Sequence, residues 1–208
     1  MAAWSARYNR GAMDQGRPAT ITFPVGSLTV IVGSMFSGKT EEMIRRVRRA
    51  TYARKRVQIF KHALDTRSEP EEIRSHAGVR ITAAPVASSE DLLERVEAGT
   101  DLVAVEETQF FDGSVVDALQ ALADRGVEVI ASGLDLDFRG RPFGPMPALL
   151  SVAEEVVKLR AICTICGRDA SRTQRIVNGE PAPPSAPTIL VGAGEQYEAR
   201  CRHHHEAG

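Results

Sequence analysis

Gly33 and Gly38 bracket four residues, and Gly38 is followed at once by Lys39 and Thr40, in the run Gly33-Ser-Met-Phe-Ser-Gly-Lys-Thr40. The pattern is G-x-x-x-x-G-K-[ST], and each position has a physical reason. Glycines let backbone N–H groups turn inward around an anion, and a helix starting there aims its positive dipole end at the same anion. Lys39 is placed to reach the outer phosphates of a nucleoside triphosphate, and the Thr40 hydroxyl to ligate Mg²⁺. The intervening Ser34, Met35, Phe36 and Ser37 supply the backbone of the cradle.

A second group is the acidic pair Glu106-Glu107, directly after the apolar run Leu102-Val-Ala-Val105. Beside a phosphate loop, one acid there can hold Mg²⁺, usually through water, and its neighbour can take a proton from an attacking hydroxyl or water. Successive residues at a strand end point in different directions, so adjacent acids can hold different roles. The alternative is a solvated acidic turn.

A third group is Cys163-x-x-Cys166 with Cys201-x-x-His204. Three cysteines cannot all pair with one another, and two such pairs offer four S/N donors for a tetrahedral, structural Zn²⁺. His203 and His205 flank His204 and compete with it for the fourth place. Closing the intervening segment would restrict the unfolded chain by roughly 4 kcal/mol if it behaves as a disulfide loop does. Within that segment, Thr188-Ile-Leu-Val-Gly192 reads as a short strand entering a Gly-Ala-Gly turn able to fold closely over a ligand. Tyr197, Phe138 and Phe143 stand open between core packing and stacking on a planar ligand.

These groups need a scaffold. Leu28–Val32, Arg56–Phe60, Leu102–Val105 and Val127–Ala131 read as strands. Between them, helical patterns follow Thr40, run over Ser89–Glu97 with Ser89 as N-cap, and run over Ser114–Asp124. A further helix is expected near Met146–Glu154. The alternation predicts an α/β fold: a P-loop, RecA-like parallel sheet flanked by helices, with ligands at the carboxyl ends of the strands. From Cys163 the rhythm changes to short elements and prolines. The expected organisation is a flexible tail (1–20), a P-loop nucleotide-binding domain (21–159) and a zinc-binding, ribbon-like lasso or lid domain (160–208).

Composition narrows the partners. At 208 residues and 43% hydrophobic the chain can bury one good core. Its net charge of −1 gives no global attraction to nucleic acid or an anionic membrane. No apolar run approaches the ~20 residues of a membrane span, and no signal-peptide pattern opens the sequence, so a cytoplasmic protein is expected. The arginine-rich helix after Thr40 reads as a solvated face balanced by Glu41 and Glu42.

Taken together, these blocks resemble the type II, cellular-type thymidine kinases of bacteria, from about Gly26 to His205. The phosphate loop with Glu-Glu-Met-Ile-Arg-Arg after it carries the resemblance. So do Phe60-Lys-His-Ala-Leu-Asp-Thr-Arg67, Glu107-Thr-Gln-Phe-Phe111, Gly133-Leu-Asp-Leu-Asp-Phe138, Val191-Gly-Ala-Gly-Glu-Gln-Tyr197 and the two metal pairs. The resemblance implies transfer of the ATP γ-phosphate to the 5′-hydroxyl of thymidine, or of deoxyuridine, in nucleotide salvage for DNA synthesis. It implies Glu107 as general base, with Arg67 and Lys39 assisting. ATP would be bound by Gly33 to Thr40, Asp65, Thr66, Arg67, Glu106, Glu107, Thr108 and Gln109, with Mg²⁺ at Thr40 and Glu106. Thymidine would lie among Met35, Phe110, Leu134, Phe138, Thr188, Ile189, Leu190, Val191, Gly192 and Tyr197. Zinc would sit on Cys163, Cys166, Cys201 and His204. A homotetramer inhibited by dTTP is also implied. Two positions depart from the family pattern: Glu106 stands where aspartate is usual, and Ala193 where the second glycine of the lid is usual. A second reading, a RecA-like ATPase with a zinc ribbon acting on nucleic acid, shares the phosphate loop but wants a basic surface that the balanced charge does not supply.

Overall fold

A computed structural model of the chain describes residues 26–65, 72–74, 80–189 and 196–206. The expected tail, residues 1–20, lies outside them.

The first element of the described residues is β1 (Ser27–Val32), apolar from Leu28 onward except for Thr29 and buried on both sides, as a central strand of a parallel sheet must be. Helix α1 (Lys39–Tyr52) follows, its Met43, Val47 and Ala50 on one stripe and Glu41 and Glu42 in its first turn, where the dipole favours them. Next come β2 (Val57–His62), a small antiparallel pair of β3 (Glu72–Arg74) and β4 (Arg80–Thr82), β5 (Ala84–Val86) and α2 (Ser89–Arg95). The expected N-cap was one residue out. Ser88 is the cap: its backbone is extended, and its hydroxyl accepts the Asp91 N–H at 3.1 Å.

Strand β6 (Leu102–Glu106), a 3-10 turn over Thr108–Phe110, α3 (Ser114–Asp124), β7 (Glu128–Gly133), α4 (Met146–Val152) and β8 (Glu155–Lys158) complete the main layer. The strands run in the order β5-β2-β6-β7-β1-β8, every neighbouring pair parallel. One face packs Val30, Val32, Val105 and Ala131 against α3 and α4 through Val115, Leu119, Met146 and Leu149. The other packs Ile31, Ala104 and Ile130 against α1 through Met43 and Val47. This is the expected α/β architecture, with β7 inserted between the strand that carries the phosphate loop and the strand that carries the acidic pair.

After Leu159 the elements shorten, as cysteines, prolines and turns replace long apolar runs. A hairpin of β9 (Ala161–Ile162) and β10 (Asp169–Ala170) adjoins a three-stranded antiparallel sheet, β12-β11-β13, of β11 (Arg172–Val177), β12 (Glu180–Pro181) and β13 (Gln196–Arg200). Thr188 and Ile189, expected to begin a strand, are in irregular backbone, and the rest of that run to Gly194 lies outside the described residues.

Candidate active site

Parallel strands deliver their following loops to one edge, so the ends of β1, β6 and β7 bring three separate sequence blocks together. At the end of β1, Gly33 has φ 151, and a Cβ there would lie 2.6 Å from both the Leu159 carbonyl oxygen and Ser37 Oγ. Any side chain would push the loop off β8's continuation. Gly38, at φ 86, turns the chain into α1 without strain. Lys39, buried under the loop, donates its ammonium to the Ser34 carbonyl at 2.9 Å, and Ser37 Oγ donates to the same oxygen at 2.8 Å. A phosphate in the loop would compete for that ammonium, and the ring of backbone N–H groups at the helix start provides the rest of an anion cradle.

The two acids of the pair have different hydrogen-bond partners. Glu106 is the last residue of β6, almost fully buried, and its Oε1 accepts the Thr40 hydroxyl at 2.7 Å. A carboxylate and a hydroxyl meeting under a phosphate loop are hard oxygen donors suited to Mg²⁺. Glu107 leaves the strand in the left-handed region, φ 56 and ψ 40, a conformation that costs an L-residue about 1–2 kcal/mol. The Glu107 side chain is buried and has a partner of its own. Its Oε2 accepts a hydrogen bond from Gln109 Nε2. Gln109 Oε1 in turn accepts the Leu134 N–H at 3.0 Å, so one amide ties the 3-10 turn to the loop after β7. Gly133 makes room for this, because a Cβ there would fall 2.5 Å from Gln109 Oε1.

Around that junction lie Phe110, in edge contact with Phe143 at 6.1 Å, and the half-buried Leu134. Phe138 is buried, with the Arg139 and Arg175 guanidiniums 4.4 and 5.0 Å from its ring centre. Asp65 is buried at the turn after β2, its N–H donating to the His62 carbonyl at 2.9 Å. Burial pushes the His62 imidazole below its usual range. Thr108 is buried, its hydroxyl donating to the Val105 carbonyl at 3.1 Å. Thr66, Arg67, Leu190, Val191 and Gly192 lie outside the described residues.

The C-terminal segment reaches this site in several places. Thr173 Oγ1 accepts the Met35 N–H at 3.0 Å, pinning the phosphate loop to β11. Arg139 donates to the carbonyls of Pro184, at 2.7 Å, and Ala186, and to Thr188 Oγ1 at 2.8 Å. Arg175 donates to the Pro187 carbonyl at 2.6 Å. Thus the segment from Pro184 to Thr188 is tethered through backbone carbonyls and the Thr188 hydroxyl to the arginines that cover Phe138. Tyr197, half-buried on β13, pairs in register with Arg175 on β11. The sequence reading missed Thr173, Arg139 and Arg175. The spacing Thr173-x-Arg175 puts both on one face of a strand, but nothing in the sequence said that this face meets Met35 and Phe138.

The metal donors converge. One ligand atom from each of Cys163, Cys166, Cys201 and His204 lies within 4.8 Å of the others. Cys201 Sγ lies 3.4 Å and Cys163 Sγ 3.7 Å from His204 Nδ1, and Cys166 Sγ lies 3.9 Å from Cys201 Sγ. Zinc–sulfur bonds of about 2.3 Å in a tetrahedron put donors roughly 3.7 Å apart, so the cluster could hold a metal such as zinc. Burial pushes the Cys163 thiol up, but backbone N–H groups of Cys201, Cys166 and Ile165 and the His204 ring outweigh it and bring it down to about 5. The three histidines separate by geometry. His204 Nδ1 faces the sulfurs, His205 Nε2 bonds the Phe138 carbonyl at 2.8 Å, and His203 packs edge-on against His204. The residue after His204 therefore holds the loop that carries Phe138.

A family model described as thymidine kinase matches residues 26–205. Among solved structures, the genome packaging NTPase B204 from Sulfolobus turreted icosahedral virus 2, in complex with ATP-gammaS, is similar with a TM-score of 0.42 and 13% identity. The likeness covers 69% of this chain and 77% of that one.

Proposed function

The chain belongs to the thymidine kinase family, and on that premise we propose that it transfers the γ-phosphoryl group of ATP to the 5′-hydroxyl of thymidine. What supports this reading is that two adjacent buried acids hold different partners, Glu106 the Thr40 hydroxyl and Glu107, in left-handed backbone, the Gln109 amide.

Lys39 and the Gly33–Thr40 backbone hold the ATP phosphates, with Asp65, Thr66, Arg67, Thr108 and Gln109 bordering them. Thr40 and Glu106 hold Mg²⁺, which when bound neutralises charge on the phosphate oxygens. Glu107 accepts the 5′-hydroxyl proton as that oxygen bonds to the γ-phosphorus, and the bond to the ADP oxygen breaks. Gln109 keeps the Glu107 carboxylate aimed while anchoring Leu134. General-base assistance of this kind contributes about 10²–10⁴-fold.

Met35, Phe110, Leu134, Phe138, Tyr197 and the segment Thr188–Gly192 form the nucleoside side, and residues 160–208 act as a lid domain that excludes water from transfer. Zinc on the Cys163 cluster anchors that lid, which touches the ATP side at Met35–Thr173 and the nucleoside side at Phe138. Deoxyuridine as a second substrate, feedback by dTTP, a tetrameric assembly and a cytoplasmic salvage role belong to the same reading. Thymidine-dependent ADP release in the presence of Mg²⁺ tests it, and a chain that phosphorylates no deoxynucleoside would refute it.

A further inference from the structure

Along the face of the sheet that carries α1, one row of side chains crosses four strands at their carboxyl ends. Lys61 on β2 is the register partner of Glu106 on β6. The β6–β7 register pairs Val105 with Ala131, so the next residues, Glu106 and Ser132, stand abreast. Ser132 is in turn the partner of Ile31 on β1, two residues before Gly33. Alternation along each strand puts all four on the side of Ile130 and Ala104, which pack against α1. Ser132 therefore lies between the strand that launches the phosphate loop and the carboxylate that binds Thr40.

Ser132 is fully buried, and among the described residues no donor or acceptor reaches its Oγ. A buried hydroxyl without a partner is destabilising, and alanine would fill the same place in the strand without that penalty. Such a group, aimed at a site for charged oxygens, has an outlet only when something polar arrives there.

We propose that Ser132 is a positioning residue of the metal–nucleotide site, its hydroxyl bonding an oxygen that the nucleotide brings: a water held by Mg²⁺ or a terminal phosphoryl oxygen. The assignment rests on Thr40 and Glu106 being the metal-binding pair. Neighbouring strands lie about 4.8 Å apart, so an oxygen bound to Glu106 by way of the metal falls within reach of the Ser132 side chain. The hydroxyl fixes where that oxygen sits, and through it the metal relative to Lys39.

The test uses the full-length, zinc-loaded protein and Ser132→Ala, with Mn²⁺ as the spin-active stand-in for Mg²⁺ and binding followed by electron paramagnetic resonance. Expected is a nucleotide-free melting temperature equal to or above that of wild type, because an unsatisfied hydroxyl has been removed. Affinity for the Mn²⁺ complex should fall five- to tenfold, the upper end being about 1.4 kcal/mol. Weakening with both ADP and a non-hydrolysable ATP analogue assigns the oxygen to a metal-bound water. Weakening with the analogue alone assigns it to the terminal phosphoryl group. Wild-type affinity for both complexes overturns the proposal, and so does a melting temperature lower by more than about 3 °C, which marks the hydroxyl as structural. Tight, Ser132-dependent metal–nucleotide binding by a chain that phosphorylates no nucleoside would sink the kinase reading and leave this one standing.

Discussion

Thr40 Oγ1 donates to Glu106 Oε1 at 2.7 Å, joining the first turn of α1 to the end of β6 across 66 residues of sequence. In the sheet β7 stands between β1 and β6, so the bond joins the helix after one strand to the end of another that is not its neighbour. With glutamate in place of aspartate, the side chain carries one more methylene and still meets the threonine hydroxyl directly.

Breaking that contact should act on metal use before anything else. Glu106→Gln keeps the shape and removes the charge. The concentration of Mg²⁺ giving half-maximal activity is expected to rise about tenfold or more, equivalent to ~1.4 kcal/mol, while the KM for thymidine stays within about twofold. Initial rates over a Mg²⁺ titration measure both. An unchanged Mg²⁺ requirement would remove Glu106 from the metal site.

Stripping zinc should loosen the lid more than the sheet. The four candidate donors bring the turn after β9 and the residues after β13 together, and His205 beside them holds Phe138. Cys201→Ser is expected to drop bound zinc from about one equivalent per chain to a small fraction. It should also lower the melting temperature, since binding energy at such a site is folding energy. The KM for thymidine should increase more than the KM for ATP. Zinc content by mass spectrometry and a pair of KM values decide it; full zinc occupancy in Cys201→Ser would contradict the ligand set.

An acid-sensitive tie links α1 to the sheet edge. Glu42 is bonded by Arg45 and Arg46, whose guanidiniums hold its carboxyl down at about 2 against a usual 4.5, and Arg46 continues to Glu155 on β8. Because the folded value is depressed, the stabilisation is complete above about pH 4.5 and is lost as pH falls from there towards 2. Solvent screening at this partly exposed cluster leaves on the order of 1 kcal/mol. Melting curves between pH 6 and 3 should therefore fall less steeply for Glu42→Gln than for wild type. Parallel curves would show that the cluster contributes nothing.

Much of this was legible in the sequence, and the reasons differ by element. Leu28–Val32 and Leu102–Val105 announced central strands because burial on both faces demands near-continuous apolar runs. Gly33 and Gly38 are fixed by backbone geometry, which a motif records faithfully. Cap positions are harder: Ser88 and Ser89 are chemically identical candidates, and only the backbone angles chose Ser88. Spacing singled out His204 but left His203 and His205 as rivals until the fold aimed the His204 ring at the sulfurs and the His205 ring at Phe138. Thr173, Arg175 and Ser132 were invisible as site residues. Their meaning depends on which strand lies beside which, and no local pattern in the chain encodes that.

The central claim is that Glu107, turned out of β6 by its left-handed backbone, takes the proton from a nucleoside 5′-hydroxyl. Its most direct test compares the initial rates of thymidine-dependent ADP formation for wild type and Glu107→Gln at saturating ATP and Mg²⁺, with ATP binding measured alongside. The account predicts robust turnover by wild type. For Glu107→Gln it predicts a loss of about 10²–10⁴ in kcat, with ATP affinity within about threefold of wild type. Turnover by Glu107→Gln within a few-fold of wild type would contradict it.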